Sequence, residues 1–176
     1  MSELMDFQKA KDQFFAQDPH SPLLPEQRQH FQGLDYFPQN PDLRFILKVD
    51  EFSEEDKEVI DIITSTGDLS PHIRWGSLTF AVDGEKATLT VYKGMGEESF
   101  FLPFADATSG KESYGAGRYL DLVPSGPDRF LIDFNYAYNP YCAYNPHWSC
   151  PIPPADNRLK LPIRAGEKKF PGAVEH

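Results

Sequence analysis

The pair Asp83-Gly84 stands between two runs, Leu78-Thr-Phe-Ala-Val82 and Ala87-Thr-Leu-Thr-Val-Tyr92, that read as strands. Alternation along such runs puts successive side chains on opposite faces, and Asp-Gly supplies the positive φ angles of a two-residue primed turn. The segment is predicted to be a β-hairpin, and the rest of the chain has to pair with its edges. Leu43 to Val49, Val59 to Thr66, Ser99 to Phe104, Arg118 to Val123, Arg129 to Tyr136 and Arg158 to Ile163 read as further strands, with turns at Gly94-Met-Gly96 and Ser125-Gly-Pro-Asp128. They lie too close together for the crossover of about a dozen residues that parallel neighbours need. The expected fold is therefore mainly β, an antiparallel barrel or two-layer sandwich.

Residues 1–37 differ from this pattern. Leu4, Phe7, Ala10, the Lys11 stem, Phe14 and Phe15 recur at spacings of three and four, which draws one apolar stripe on a helix that Ser2 can cap and Asp18-Pro19 stops. A short second helix is expected from Pro25, docked by Phe31, Leu34, Tyr36 and Phe37. This helical segment is expected to cover one end or edge of the strands, within a single domain spanning 1–176 whose residues 170–176 read as a tail. A net charge of −10 repels phosphate backbones and anionic lipid surfaces, which argues against nucleic-acid and membrane partners. No run of about eighteen apolar residues occurs, and Met1-Ser-Glu-Leu-Met-Asp6 lacks the basic and apolar regions of a secretory leader. A cytoplasmic protein with reduced cysteines is expected.

Two loops carry the residues with chemistry. The first, Phe104 to Tyr119, is dense in hydroxyls and glycine, and Arg118 follows Gly115-Ala-Gly117 with a planar fork of donors suited to an anion. No third glycine or following helix makes it a dinucleotide or phosphate loop. Internal pairing of Arg118 with Asp106 or Asp133 is the alternative. The second loop, Asp133 to Arg158, repeats Ala137-Tyr-Asn-Pro140 as Ala143-Tyr-Asn-Pro146, and each Asn-Pro forbids a continuous helix. Tyr136, Tyr138, Tyr141, Tyr144 and Trp148 make it too apolar for a solvated linker, although packing explains aromatics as well as a ligand does. Asp133 and Asn135 share the face of their strand opposite Phe134 and Tyr136, facing either solvent or a cavity.

Cys142, His147 and Cys150 fall within nine residues, and four readings stay open. They are three of the four ligands zinc wants, with only His72 or Asp133 at hand for the fourth; or a short-loop disulfide; or a cysteine nucleophile with His147 as base; or buried thiols. His20, His30 and His72 read as structural, and Glu54-Glu-Asp56 as a solvated turn rather than a calcium loop.

The segments from Phe101 to Leu122, from Asp133 to Pro146, from Ser149 to Leu159 and the run Ile163-Arg-Ala-Gly-Glu167 resemble a prokaryotic family catalogued as domain of unknown function 1684. The resemblance extends from Pro19-His-Ser-Pro-Leu23 onward and implies that both loops belong to a family signature. It implies no activity, cofactor or substrate.

From these residues the expected function is binding of a small, anionic molecule in a pocket formed by loops 104–119 and 133–158. Arg118 would clamp the anion. Asp133 and Asn135 would orient polar groups, with Asp106, Ser109 and Asn157 adding to them, and Tyr114, Tyr119, Tyr138 and Cys142 would line the wall. A thiol- or metal-dependent hydrolase or transferase using Cys142, His147 or Cys150, and a protein-interaction module built on the tyrosine-rich loop, are the rival classes. No cofactor is expected, zinc being the one alternative, and nothing in the sequence indicates a homo-oligomer.

Overall fold

The computed structural model describes residues 2–173 of the chain. It is mainly β, and every strand pairing is antiparallel. Nine strands form among the described residues: β1 (Arg44–Lys48), β2 (Asp50–Glu51), β3 (Val59–Ile63), β4 (Leu69–Val82), β5 (Glu85–Gly94), β6 (Phe100–Phe104), β7 (Arg118–Asp121), β8 (Val123–Pro124) and β9 (Arg129–Asp133). A three-stranded sheet runs β1-β9-β8, and a larger one runs β2-β4-β5-β6-β7 with β3 also paired to β4. Among the described residues the sheets do not close into a barrel.

The hairpin forms as the sequence dictates, with Asp83 at φ 50 and Gly84 at φ 83. Its first strand is longer than alternation suggested: β4 begins at Leu69, pairs with β3 over Leu69–Ile73, and kinks between Arg74 and Gly76 where its register with β5 shifts. Arg158 to Ile163, expected as a strand, is not one. The Leu159 amide donates to Ala105 O at 2.8 Å and the Ile163 amide to the Asp106 carboxylate at 2.6 Å, while Pro162 has no amide to offer a ladder. Likewise β9 stops at Asp133 because its side chain takes the Asn135 amide at 3.0 Å and winds Phe134–Tyr136 into a 3-10 turn.

One core joins the sheets. Leu78, Phe80, Leu89, Val91, Leu102, Phe104, Leu120, Ile132, Phe134 and Ile163 are buried together. Phe80 stacks against both Phe45 and Phe134 at 5.2 Å between ring centroids, which ties β1 and the end of β9 to β4.

Helix α1 (Glu3–Gln17) is capped by the Ser2 hydroxyl, which accepts the Met5 amide, and ends before Asp18-Pro19; α2 (Pro25–Gln29) starts on its proline. α1 lies over the aromatic loop. Phe15 meets Tyr144 at 5.0 Å and Tyr141 at 6.4 Å, and Phe7 meets Tyr136 at 5.0 Å. A second small core of Phe15, Leu23 and Tyr144 gathers Phe14, Phe31, Leu34 and Phe170 around it. Removing each such large side chain from water is worth about 1.5–3 kcal/mol, enough to seat a helix that would be marginal alone. Phe170 is thus a packing residue and not the start of a tail; residues 174–176 of the expected tail lie outside the described residues. No helix among the described residues is long and apolar enough to cross a membrane.

Candidate functional site

The two loops meet. Tyr119 and Tyr138 exchange backbone hydrogen bonds of 2.8 and 2.9 Å, and the Tyr114 hydroxyl lies 3.6 Å from Cys142 Sγ. Tyr119, Cys142 and Cys150 are buried there beside Tyr114, Tyr138, Tyr141 and Phe101. The Tyr119 hydroxyl donates to Pro151 O, and the Tyr138 hydroxyl reaches Asp121 at 3.1 Å. Burial pushes the phenols of Tyr114, Tyr119 and Tyr138 well above the ordinary tyrosine value, so all three stay protonated donors.

Arg118 is adjacent to Tyr119 on β7, and neighbours on a strand face opposite ways, so the two do not share a wall. Its side chain is fully buried between the rings of Phe37 and Phe104. One terminal nitrogen donates to Ala165 O and to Glu167 O at 3.2 Å; the other donates to Ile163 O at 2.8 Å and reaches Asp106 Oδ1 at 3.5 Å. Burial lowers its pKa from the ordinary arginine value, against the pull of Asp106. The terminal nitrogens expected to clamp an external anion thus donate to the chain's own segment 163–167, and the Nε that has no hydrogen-bond partner is buried, which is the correction the geometry makes to that expectation. Asp106 is equally occupied, accepting from the Thr108 and Ser109 hydroxyls and the Ile163 amide.

The remaining expected site residues are dispersed. Asn135 pins Asn40 through 2.8 and 2.9 Å bonds to its amide and carbonyl, and Asp133 holds Asn135 while lying 3.9 Å from Arg44. Asn157 is fully buried, taking the Thr90 amide and donating to the Thr90 and Pro103 carbonyls, all at 2.8 Å, so it stitches β5 to β6. His147 is exposed whereas Cys142 and Cys150 are buried, and neither cysteine is in a disulfide. Among the described residues no group of three or more His, Cys, Asp or Glu side chains could hold a metal ion. The hydrogen bond with the adjoining Cys142 thiol, and then burial, push the Cys150 thiol far above its ordinary value, the opposite of what a nucleophile needs.

The sequence reading missed a different constellation, built around Glu167. Gly166, at φ +79, passes so close to Phe134 and Ala137 that a Cβ there would lie 2.6 Å from Ala137 O, and this approach delivers Glu167 beneath the aromatic loop. Its carboxylate is 2% exposed. Oε1 accepts the Asn139 amide at 3.1 Å and the Tyr144 hydroxyl at 2.8 Å, while Oε2 pairs with the Lys11 ammonium from α1. That ammonium also sits 5.6 Å from the Phe15 ring and 5.1 Å from the Tyr138 ring. Burial, then the charge of Glu167, pushes the Tyr144 phenol well up. Next to it Asp12 accepts the Leu34 amide at 3.0 Å and the Tyr36 hydroxyl at 3.3 Å, and burial raises its pKa above 3.8.

Above this ion pair an open groove of about 490 Å³ runs between α1 and the loop, lined by Phe7, Ala10, Lys11, Phe14, Phe15, Tyr138 and Tyr141. A hollow of about 530 Å³ at Trp75, Phe100 and Phe130 is larger. There Lys57 and Lys93 stand over the Trp75 and Phe100 rings, at 5.6 and 5.2 Å, but the carboxylates that line the hollow, Asp50, Glu51 and Asp128, are exposed, unlike Glu167. The signal for the missed site was an ionisable residue, Lys11, inside an otherwise apolar helical stripe.

The family model described as "Protein of unknown function (DUF1684)" matches residues 29–168. That stretch holds both loops and Glu167, but it starts later than the resemblance from Pro19 suggested and leaves Lys11 outside. A solution NMR structure of an uncharacterized protein from gene locus rrnAC0354 of Haloarcula marismortui is 37% identical, spans 94% of this chain and 92% of its own, and superposes with a TM-score of 0.72. No curated protein matches the chain.

Proposed function

We propose that this chain, which belongs to the family of proteins of unknown function DUF1684, binds a small apolar or aromatic molecule in the groove between α1 and the tyrosine-rich loop. The observation that carries the reading is the combination of an aromatic-walled groove with an ion pair at its base whose buried carboxylate is held by Asn139 and Tyr144, the pairing of apolar lining and few oriented polar groups typical of ligand sites. The pocket wall expected from loop 104–119 is taken by α1; Tyr114 stands behind, against Cys142. An anionic ligand has lost its main support, because Arg118 is internal. The cytoplasmic setting is part of the proposal and is supported by Cys142 and Cys150 standing as thiols. We also read the two sheets around their one core as a two-layer sandwich.

The test is a fragment screen by two-dimensional NMR on the labelled protein. Binders should shift resonances of Phe7, Phe14, Phe15, Tyr138 and Tyr141 together, and Phe14→Ala should weaken them several-fold. Hits that cluster elsewhere, or no hits at millimolar concentration, would overturn the reading.

A further inference from the structure

We infer that Glu167 and the faces of Phe15 and Tyr138 form a subsite for an organic ammonium group, which the Lys11 ammonium fills in the unliganded protein, and that the groove's ligand is an apolar amine. The inference rests on the proposed groove and names the chemical class that it takes.

Three features point to a cation. Glu167 is a buried carboxylate whose Oε1 is held by Asn139 and Tyr144, whereas its Oε2 has Lys11 as its hydrogen-bonding partner. A buried anionic oxygen without a counter-charge is costly, so the position demands an ammonium or its equivalent. Aromatic faces at 5.6 and 5.1 Å complete the cradle, since ring quadrupoles attract cations within about 6 Å. The surrounding charge has the matching sign: Asp12 lies close enough for Glu167 to raise its pKa, and an incoming carboxylate would meet both.

Lys11 identifies the fit because it is itself an alkylammonium lying in the cradle. It enters from the groove wall and keeps 17% of its side chain exposed, so rotation of a lysine stem vacates the place without moving the backbone. A ligand amine would put its nitrogen where Nζ sits and its apolar body along Phe7, Phe14 and Tyr141. Because Lys11 is tethered, it competes at a high effective concentration, and the free protein should bind amines more weakly than a variant lacking the ammonium.

The experiment compares 2-phenylethylamine, 2-phenylethanol and phenylacetate, cation, neutral and anion of similar shape, by calorimetry and NMR. Wild type and Lys11→Met, which keeps the stem on the rings, are both titrated. The amine should bind Lys11→Met at least tenfold more tightly than wild type, and should bind it at least tenfold more tightly than either analogue does. Ethylamine, too short to use the groove, should raise the unfolding temperature of Lys11→Met in a saturable way, and adding Glu167→Gln should remove that effect. If Lys11→Met does not fold alone, refolding in ethylamine but not in ethanol serves as the readout. Equal binding of the alcohol and the amine, with no ethylamine effect, would overturn the ammonium subsite and leave the groove standing. Ethylamine rescue without binding of any phenyl compound would do the reverse, and failure of every compound would overturn both.

Discussion

Arg118→Met separates a structural arginine from a ligand-binding one. The guanidinium donates to the carbonyls of Ile163, Ala165 and Glu167 and fills the space between Phe37 and Phe104. Hydrogen bonds to a charged group are worth about 1.5–3 kcal/mol each, while the desolvation of the guanidinium, absent in the variant, offsets several kcal/mol. The remainder, with three buried carbonyl oxygens left without their donor, is an expected loss of about 3–5 kcal/mol. Against total stabilities of about 5–15 kcal/mol this is a large fraction. Urea unfolding followed by tryptophan fluorescence reads the change in midpoint at constant slope. The partition is also testable. The Asp106 contact, at 3.5 Å, is the longest that Arg118 makes, and Asp106 keeps the Thr108, Ser109 and Ile163 donors without it. A double-mutant cycle with Asp106→Asn should therefore give a coupling of about 1 kcal/mol or less, the rest residing in the three carbonyls. A variant within about 1 kcal/mol of wild type would refute the structural role, and a coupling equal to the whole loss would refute the partition.

Two further outcomes follow from burial. Asp12 holds its proton more tightly in the fold than at the ordinary 3.8, through burial and the field of Glu167, against the Leu34 amide, the Tyr36 hydroxyl and Lys11. The native state thus binds more protons than the unfolded one, and stability falls as pH rises from 3.8 through the folded value, then levels off. Asp12→Asn keeps an Oδ1 for both donors and lacks this decline, so the stability of the variant relative to wild type should climb with pH across that window; a flat or falling difference by calorimetry contradicts the account. The second concerns Cys142 and Cys150, 2% and 9% exposed, with Cys150 Sγ accepting the Cys142 amide at 3.4 Å. Native protein near pH 8 should react with a disulfide reagent at least about a hundredfold more slowly than denatured protein. Fast labelling of either cysteine would restore the case for a thiol nucleophile.

What could be read from the sequence was local. Asp83-Gly84, Ser2, Asp18-Pro19 and Pro25 act on residues within a few positions, and each forms the turn, cap, stop or start its chemistry requires. The first half of β4 escaped because Pro71, His72 and Arg74 interrupt the alternation, and because pairing on both edges makes up for weak local preference. The meeting of the two loops was expected from their shared wealth of aromatic and polar residues. Lys11 and Glu167, in contrast, are separated by 156 positions, and no window on either side contains the partner that gives it meaning.

The Asn-Pro repeat connects these two levels. Proline explains why each copy breaks the helix, but the asparagines explain why the loop exists. Asn139, buried, donates its side-chain amide to Lys168 O and its backbone amide to Glu167; Asn145, also buried, donates to Pro22 O beside the end of α1. The tyrosines of the two copies cross over this division: Tyr138, beside Asn139, roofs the Lys11 ammonium, and Tyr144, beside Asn145, bonds the Glu167 carboxylate. Each copy thus touches both the N-terminal and the C-terminal segment, so the loop is a clasp between the two halves of the ion pair. The groove therefore forms where both grips hold, with Phe7 to Phe15 of α1 on one wall, Tyr138 and Tyr141 of the loop on the other, and the C-terminal Glu167 supplying the partner of Lys11.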